Sequence, residues 1–231
     1  LRTALAFCEL WPPDRFPLTA YRHPTCPDME FRASDVPWEE VERAPIVYVS
    51  GTTLAQDPSR TAAMAILQRR AAAGRGDPVP GGLTTILDLD WRPSYWASPE
   101  DYPTWMQLAI RLADTVVGSE TEFAAAGSTT DAALASGVRR IYLKRGPEGA
   151  AYVTADRRLD VAGARVPVVN GLGAGDAFAA ALGWSLLRGD APARQLQLAN
   201  AAGAVVASRL ACSAAMPTPD EVIAMADRTP A

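Results

Sequence analysis

Asn170-Gly171-Leu172-Gly173-Ala174-Gly175-Asp176-Ala177-Phe178 sets three glycines and an acid at the head of the apolar helical sequence Ala179 to Leu187. Glycine lets a backbone take positive φ and come close to a ligand with no Cβ in the way. A helix starting here turns its unpaired N–H groups and positive dipole end toward the same spot, the physics of anion binding at a helix N-terminus. Asp176, one turn in, could take a proton from a hydroxyl while the neighbouring amides hold charge gathering on a transferring phosphoryl group. No Lys-Ser or Lys-Thr pair closes a phosphate-binding G-x-x-x-x-G frame. The dinucleotide fingerprint also fails, since Asp176 stands at the third glycine and no acid lies near Leu196. A plain glycine-rich turn, with Asp176 only favouring the helix dipole, is the bland alternative.

Other polar residues collect where strands should end. Asp88-Leu89-Asp90-Trp91-Arg92-Pro93 closes a β-branched run, and alternation would point Asp88, Asp90 and Arg92 the same way. They read either as an acid–arginine pair that satisfies itself or as a ligand site, Arg92 suiting a carboxylate or phosphate in bidentate fashion. Ser119-Glu120-Thr121-Glu122 has the spacing of a capping box. Lys144-Arg145-Gly146-Pro147-Glu148-Gly149 reads as a β-turn into the strand Ala150 to Thr154. Ala199-Asn200-Ala201-Ala202-Gly203-Ala204 carries small side chains on successive turns, suited to close helix packing or to a flat ring.

The elements that must hold these residues alternate. Pro45 to Gly51, Thr84 to Asp90, Thr115 to Gly118 and Arg140 to Lys144 read as strands. Between them fall helices at Arg60 to Arg70, with an N-cap signal in Asp57-Pro58-Ser59, at Pro103 to Ala113, and as a pair between Ser119 and Ala135. The rhythm predicts βαβ units and a parallel sheet, with ligands at the carboxyl ends of the strands. Gln195 to Arg209 and a segment from Thr218 read as the last helices, and Leu1 to Leu10 with Leu18 to Arg22 as strand-like runs, separated by the turn Trp11-Pro12-Pro13-Asp14, that could make a hairpin or adjacent edge strands. Residues 73–82 read as a surface loop rather than a domain boundary.

Gly173-Ala174-Gly175-Asp176, followed by Ala177-Phe178, resembles the signature of the ribokinase-like sugar kinases, the phosphofructokinase-B type family. The resemblance implies an α/β, three-layer αβα ribokinase-like fold with a mostly parallel central sheet and remnants of a small β lid. It implies a single kinase domain over residues 1–231, with residues 1–30 including lid-associated strands. Leu1-Arg2-Thr3 carries no initiator methionine, and the N-terminal part of the family domain, with much of its sugar site, is expected to lie outside this sequence. By position Asp176 would be the base and Gly173, Ala174 and Gly175 the anion hole. Asp88-Leu89-Asp90-Trp91-Arg92 resembles the family's Asp-x-Asn-x-Arg strand end, with Asp90 for the asparagine and Arg92 toward the sugar. Glu122 matches the glutamate of an Asn-x-x-Glu motif that organises Mg2+ through water, alongside its capping role. Lys144, Gly146 and Gly149 resemble a nucleotide-contacting loop, and Asn200 would stand at the edge of the adenine of ATP. Asn170-Gly171 replaces the family's Asp-Thr, a departure at the place of a monovalent-cation site. Ser208 to Thr218, Asp88 to Trp96 and Leu5 to Glu9 narrow the resemblance to a branch acting on a small acidic keto sugar. A kinase of the same family for another sugar would keep every motif, and a non-catalytic nucleotide-binding protein is the other class.

With 231 residues, 48% of them hydrophobic and 21% charged, the chain has the composition of a globular protein able to bury one substantial core. A net charge of −4 without an Arg/Lys stripe argues against a nucleic-acid partner. No apolar run reaches membrane-spanning length, and the cytoplasm is the default. Cys8, Cys26 and Cys212 are too widely spaced for a disulfide framework or metal knuckle, and His23 reads as a loop residue. The implied partners are a sugar and ATP, and the family's lid strands imply a homodimer.

Overall fold

The computed structural model describes residues 1–74 and 79–229. Of the loop expected at 73–82, residues 75–78 lie outside the described residues. In chain order the elements are β1 (Leu5–Cys8), β2 (Leu18–Tyr21), α1 (Trp38–Arg43), β3 (Ile46–Ser50), α2 (Ser59–Ala72), β4 (Thr84–Asp88), α3 (Tyr102–Ile110), β5 (Thr115–Ser119), α4 (Glu120–Ala125), α5 (Thr130–Ala135), β6 (Arg140–Lys144), β7 (Ala150–Val153), β8 (Arg158–Val161), α6 (Ala174–Leu187), α7 (Pro192–Ala207) and α8 (Pro219–Ala226).

The chain forms two compact units. The first holds residues 1–4, 22–143 and 153–157. In it β3 pairs parallel with β4, from Ile46 against Thr84 to Ser50 against Asp88, and β4 pairs parallel with β5. A parallel neighbour cannot be reached by a tight turn, so α2 and α3 serve as the crossovers. The expected mostly parallel sheet is present. β4 is buried along its whole length, and Ile86, Leu87, Val116, Val117, Tyr102, Met106 and Leu67 are shut from solvent around it. Burial on both faces explains a strand written as a continuous run instead of an alternating one.

Asp57-Pro58-Ser59 does start α2, though not with Ser59 as cap. Ser59 is already helical and its hydroxyl donates to the carbonyls of Thr53 and Gln56, while Asp57 Oδ1 accepts the Thr61 N–H.

The second unit holds residues 5–21, 144–152 and 158 onward. β1 and β2 form a separate antiparallel hairpin, Leu5 opposite Tyr21 and Cys8 opposite Leu18. β8 was not expected from the sequence, because Arg158-Leu159-Asp160-Val161 is short and half polar. α7 begins at Pro192, three residues before the expected start, since proline suits a first turn whose N–H has no partner. α6, α7 and α8 share a core of Ala177, Ala181, Leu198, Ala201, Ala202, Val206, Val222 and Ala226. The alanines let α7 lie close on α6, and a methyl on Gly203 would sit 3.2 Å from the Ala174 carbonyl oxygen. The helix expected from Thr218 is α8, and Thr218 and Glu221 close a capping box on it.

Candidate active site

The glycine-rich turn of the second unit becomes the first turn of α6. Gly173 is its N-cap at φ 87°, and Asp176 lies in the first turn, exposed with Gly175. The three glycines do different work. Gly173 needs its left-handed φ, and a methyl there would also fall 2.6 Å from Cys212 Sγ. Gly171 has no positive φ, contrary to expectation, and is instead required by the Phe16 ring, 2.9 Å from where its Cβ would be. Gly175, also without positive φ, has no atom within 4 Å of its missing Cβ. Among the described residues, the N–H groups of Gly173 and Gly175 make no hydrogen bond to another backbone group, which leaves donors at the positive end of a 14-residue helix.

Asn170 braces this turn from below. It is buried; its Oδ1 accepts the Leu172 N–H at 2.9 Å and its Nδ2 donates to the Leu210 carbonyl at 2.9 Å. Cys8 Sγ stands 4.0 Å from the same Oδ1. Burial, then the charge of Asp176, pushes the Cys212 thiol above its ordinary pKa, which keeps it neutral beside the turn. Nothing in the sequence marked Phe16, Cys212 or the clamp by Asn170, because all three are contacts between distant segments.

In the same unit Gly146 takes φ 57° with open space where a Cβ would go. Gly149, at φ 98°, is accounted for by packing, since a Cβ there would lie 2.1 Å from the Val161 carbonyl oxygen. Lys144 ends β6, and Arg145 pairs with Asp160 at 3.1 Å. Asn200 on α7 donates to the carbonyls of Val161 and Ala162 at 3.3 and 3.2 Å, tying α7 to the end of β8.

The first unit carries Arg92 and Glu122. β4 stops at Asp88, and Asp90 turns left-handed at φ 38°, so the expected alternation of Asp88, Asp90 and Arg92 does not continue. Asp90 meets Arg92 all the same, its Oδ1 accepting Arg92 Nε at 3.0 Å. The Arg92 side chain is 48% exposed. Burial opposes the guanidinium charge, but Asp90, with help from Glu122 and Tyr95, raises the Arg92 pKa on balance. Ser50 and Thr52, at the end of β3, both donate to Asp90 Oδ2, and Tyr48 donates to Asp88. Tyr102 is fully buried and gives its hydroxyl proton to the Leu89 carbonyl at 2.8 Å. Burial, then the charges of Glu122, Asp90 and Asp88, holds that phenol far above its ordinary pKa. The Ser-Gly-Thr-Thr after β3 was the available signal for Ser50 and Thr52, and it was missed.

Glu122 sits as its spacing predicts: Oε2 accepts the Ser119 N–H at 2.7 Å and Ser119 Oγ accepts the Glu122 N–H at 3.2 Å. Among the described residues no group of three or more His, Cys, Asp or Glu side chains could hold a metal ion, and no helix is long and apolar enough to cross a membrane. A cavity of about 70 Å3 in this unit is lined by Arg22, Asp28, Thr52, Gln56, Ser59 and Tyr95, with Arg22 paired to Asp28 and stacked 4.7 Å above the Tyr95 ring.

Residues 20–219 match the pfkB family carbohydrate kinase description. The chain is 29% identical to 5-dehydro-2-deoxygluconokinase of Listeria monocytogenes serotype 4b (strain CLIP80459), over 97% of this chain and 69% of that protein. It is 26% identical to the protein of that name from Bacillus subtilis (strain 168), over 96% and 68%. Among solved structures, fructokinase with bound ATP from Xylella fastidiosa superposes with a TM-score of 0.82 at 21% identity, over 98% of this chain and 74% of that one. Aminoimidazole riboside kinase from Salmonella enterica, complexed with aminoimidazole riboside and an ATP analog, gives 0.73 at 24%, over 90% and 70%. These likenesses show the ribokinase-like fold expected from the sequence, and with the match over residues 20–219 they identify this chain as a sugar kinase that belongs to the pfkB family of carbohydrate kinases.

Proposed function

We propose that this kinase transfers the γ-phosphoryl group of ATP to a primary hydroxyl of 5-dehydro-2-deoxygluconate, a step of inositol breakdown. The observation that carries the transfer chemistry is the exposed first turn of α6, where Asp176 stands beside the open face of Gly175 and the unpaired amides. Asp176 takes the proton of the attacking hydroxyl. The free amides of Gly173 and Gly175 hold the negative charge that spreads over the transferring group, while the Ala174 N–H, expected to join them, donates to the Gly171 carbonyl at 3.3 Å and shapes the turn. Phosphoryl transfer needs little else from a protein, being largely a matter of positioning and charge. Arg92 binds the carboxylate of the sugar acid, and the relatives' names support that substrate over an uncharged sugar.

Lys144 and Gly146, on the loop after β6, are the residues we assign to the nucleotide phosphates, with Gly149 shaping the loop and Asn200 at the adenine edge. A divalent cation, Mg2+ in our reading, neutralises the phosphate charge when bound. The donor set fits such an ion only through water, because Glu122 spends one oxygen on its own cap; Mg2+ keeps most of its waters in sites of this kind. The clamp made by Asn170 occupies the place of the family's cation-site aspartate with neutral hydrogen bonds, so we assign no monovalent ion there.

The test is ADP release with Mg-ATP and 5-dehydro-2-deoxygluconate, 2-keto-3-deoxygluconate, fructose or ribose as acceptor. Selectivity for the first is expected. Preference for 2-keto-3-deoxygluconate or fructose would replace the substrate and keep the mechanism. Asp176→Asn is expected to lower turnover by about 10²–10⁴-fold with ATP binding retained. If turnover and ATP binding fell together, the role of Asp176 would be structural.

A further inference from the structure

The backbone after β4 is fixed far more firmly than the end of a strand requires. The Leu89 N–H donates to the Val117 carbonyl at 2.9 Å, and the Leu89 carbonyl accepts the Tyr102 hydroxyl. A methyl on Gly51 would lie 2.1 Å from that carbonyl oxygen, and one on Gly118 would lie 2.7 Å from the Leu89 side chain. The next residue, Asp90, is the one non-glycine at positive φ among the described residues, a conformation that persists only where its surroundings impose it. Here they do. The Asp90 N–H donates to Asp88 Oδ1 at 3.2 Å, and Oδ2 takes the hydroxyls of Ser50 and Thr52 at 2.6 and 3.0 Å. What is left is Oδ1, aimed at Arg92 Nε.

That arrangement leaves the outer edge of the guanidinium to something else. A guanidinium has five N–H donors, and among the described residues the Nε bond to Asp90 is the hydrogen bond Arg92 makes. We propose that Asp90 is a positioning residue: it grips Arg92 at Nε, through a carboxylate itself pinned by Ser50 and Thr52, so that the terminal nitrogens face the carboxylate of the sugar substrate. This rests on the reading of Arg92 as a substrate contact. The side-chain charge matters as well as the shape. An amide at position 90 keeps an acceptor for Nε but loses the charge assistance, and its NH2 group would force the Ser50 and Thr52 hydroxyls to reverse from donors to acceptors.

Asp90→Asn is the direct test, because asparagine tolerates the left-handed φ and the fold should survive. KM for 5-dehydro-2-deoxygluconate is expected to rise about tenfold, as for a weakened charged hydrogen bond, with KM for ATP unchanged and kcat within about threefold. In an Arg92→Ala background the same change should do nothing. Ser50→Ala with Thr52→Ala, which leaves Asp90 in place but unpinned, should raise the same KM by a smaller factor. If Arg92→Ala raises KM while Asp90→Asn leaves it within twofold, the positioning role is wrong and the substrate contact stands. An equal effect of Asp90→Asn with and without Arg92 also overturns the proposal, because Asp90 would then act on the fold. If Arg92→Ala leaves the KM of every acceptor unchanged, the underlying reading of Arg92 falls, and this inference with it.

Discussion

Gly173→Ala separates two costs that the structure places on one atom. The first is conformational: at φ 87° a Cβ crowds its own backbone, which costs about 1–2 kcal/mol. The second is steric: the methyl would lie 2.6 Å from Cys212 Sγ, well inside the usual contact of about 3.5–4.0 Å. Relief of such overpacking costs about 1–3 kcal/mol. Together they predict a loss of about 2–5 kcal/mol of stability. Cys212→Ala removes the sulfur and leaves the φ, so in that background Gly173→Ala should cost only about 1–2 kcal/mol. Urea unfolding of the parent, both single variants and the double gives the coupling directly. Gly175→Ala is the control, since it has open space and no positive φ; it should keep its stability or gain up to about 1 kcal/mol, and lose turnover if a ligand approaches that face. A Gly173→Ala cost below about 1 kcal/mol, or one that Cys212→Ala does not reduce, would refute the account of this turn.

Tyr102→Phe leaves the buried Leu89 carbonyl without its hydroxyl donor and should cost about 1–3 kcal/mol by urea unfolding, with the denaturant dependence unchanged. Asp160 lies below the ordinary aspartate value of 3.8, first through its hydrogen bonds from Arg158 and then through the charges of Arg158 and Arg145, which outweigh its burial. A carboxyl depressed in the folded state stabilises above its unfolded pKa and loses that contribution as pH falls through its folded one. Asp160→Asn should therefore unfold at a lower temperature than the parent at pH 7, with the gap closing as pH is taken well below 3.8; a gap that widens in acid would contradict the pairing.

How much could be read in advance depends on whether a residue's partner is near in sequence. The strands at Ile46, Thr84 and Thr115, the capping box at Ser119, the helix start at Thr218 and the helix head at Asp176 are local signals, each decided by neighbours within a turn or a strand. The course of the chain past Asp88 was not legible. Side-chain alternation assumes that the strand goes on, whereas the hydroxyls of Ser50, at the end of β3, and Thr52, in the turn after it, hold Asp90 in a left-handed turn. In the same way Gly171 looked like a positive-φ glycine for close ligand approach and is a berth for Phe16, and Asn200 looked like a ligand contact and also ties α7 to the carbonyls at the end of β8.

That distinction bears on what a glycine motif can prove. The φ of Gly173 and the Phe16 ring over Gly171 make those two glycines necessary with no ligand in view, so neither is evidence for catalysis. Gly175 is different: the fold asks for no glycine there, and alanine would be the better helix former by about 1 kcal/mol. Openness alone does not single it out, because Gly183, in the middle of α6, is just as open. Position does. Gly175 stands in the one turn of α6 whose N–H groups point out of the helix, next to an exposed carboxylate, and there the missing methyl clears the approach to those donors. The case for an anion hole therefore rests on the glycine that stability does not explain, and it stands or falls with the activity of Gly175→Ala.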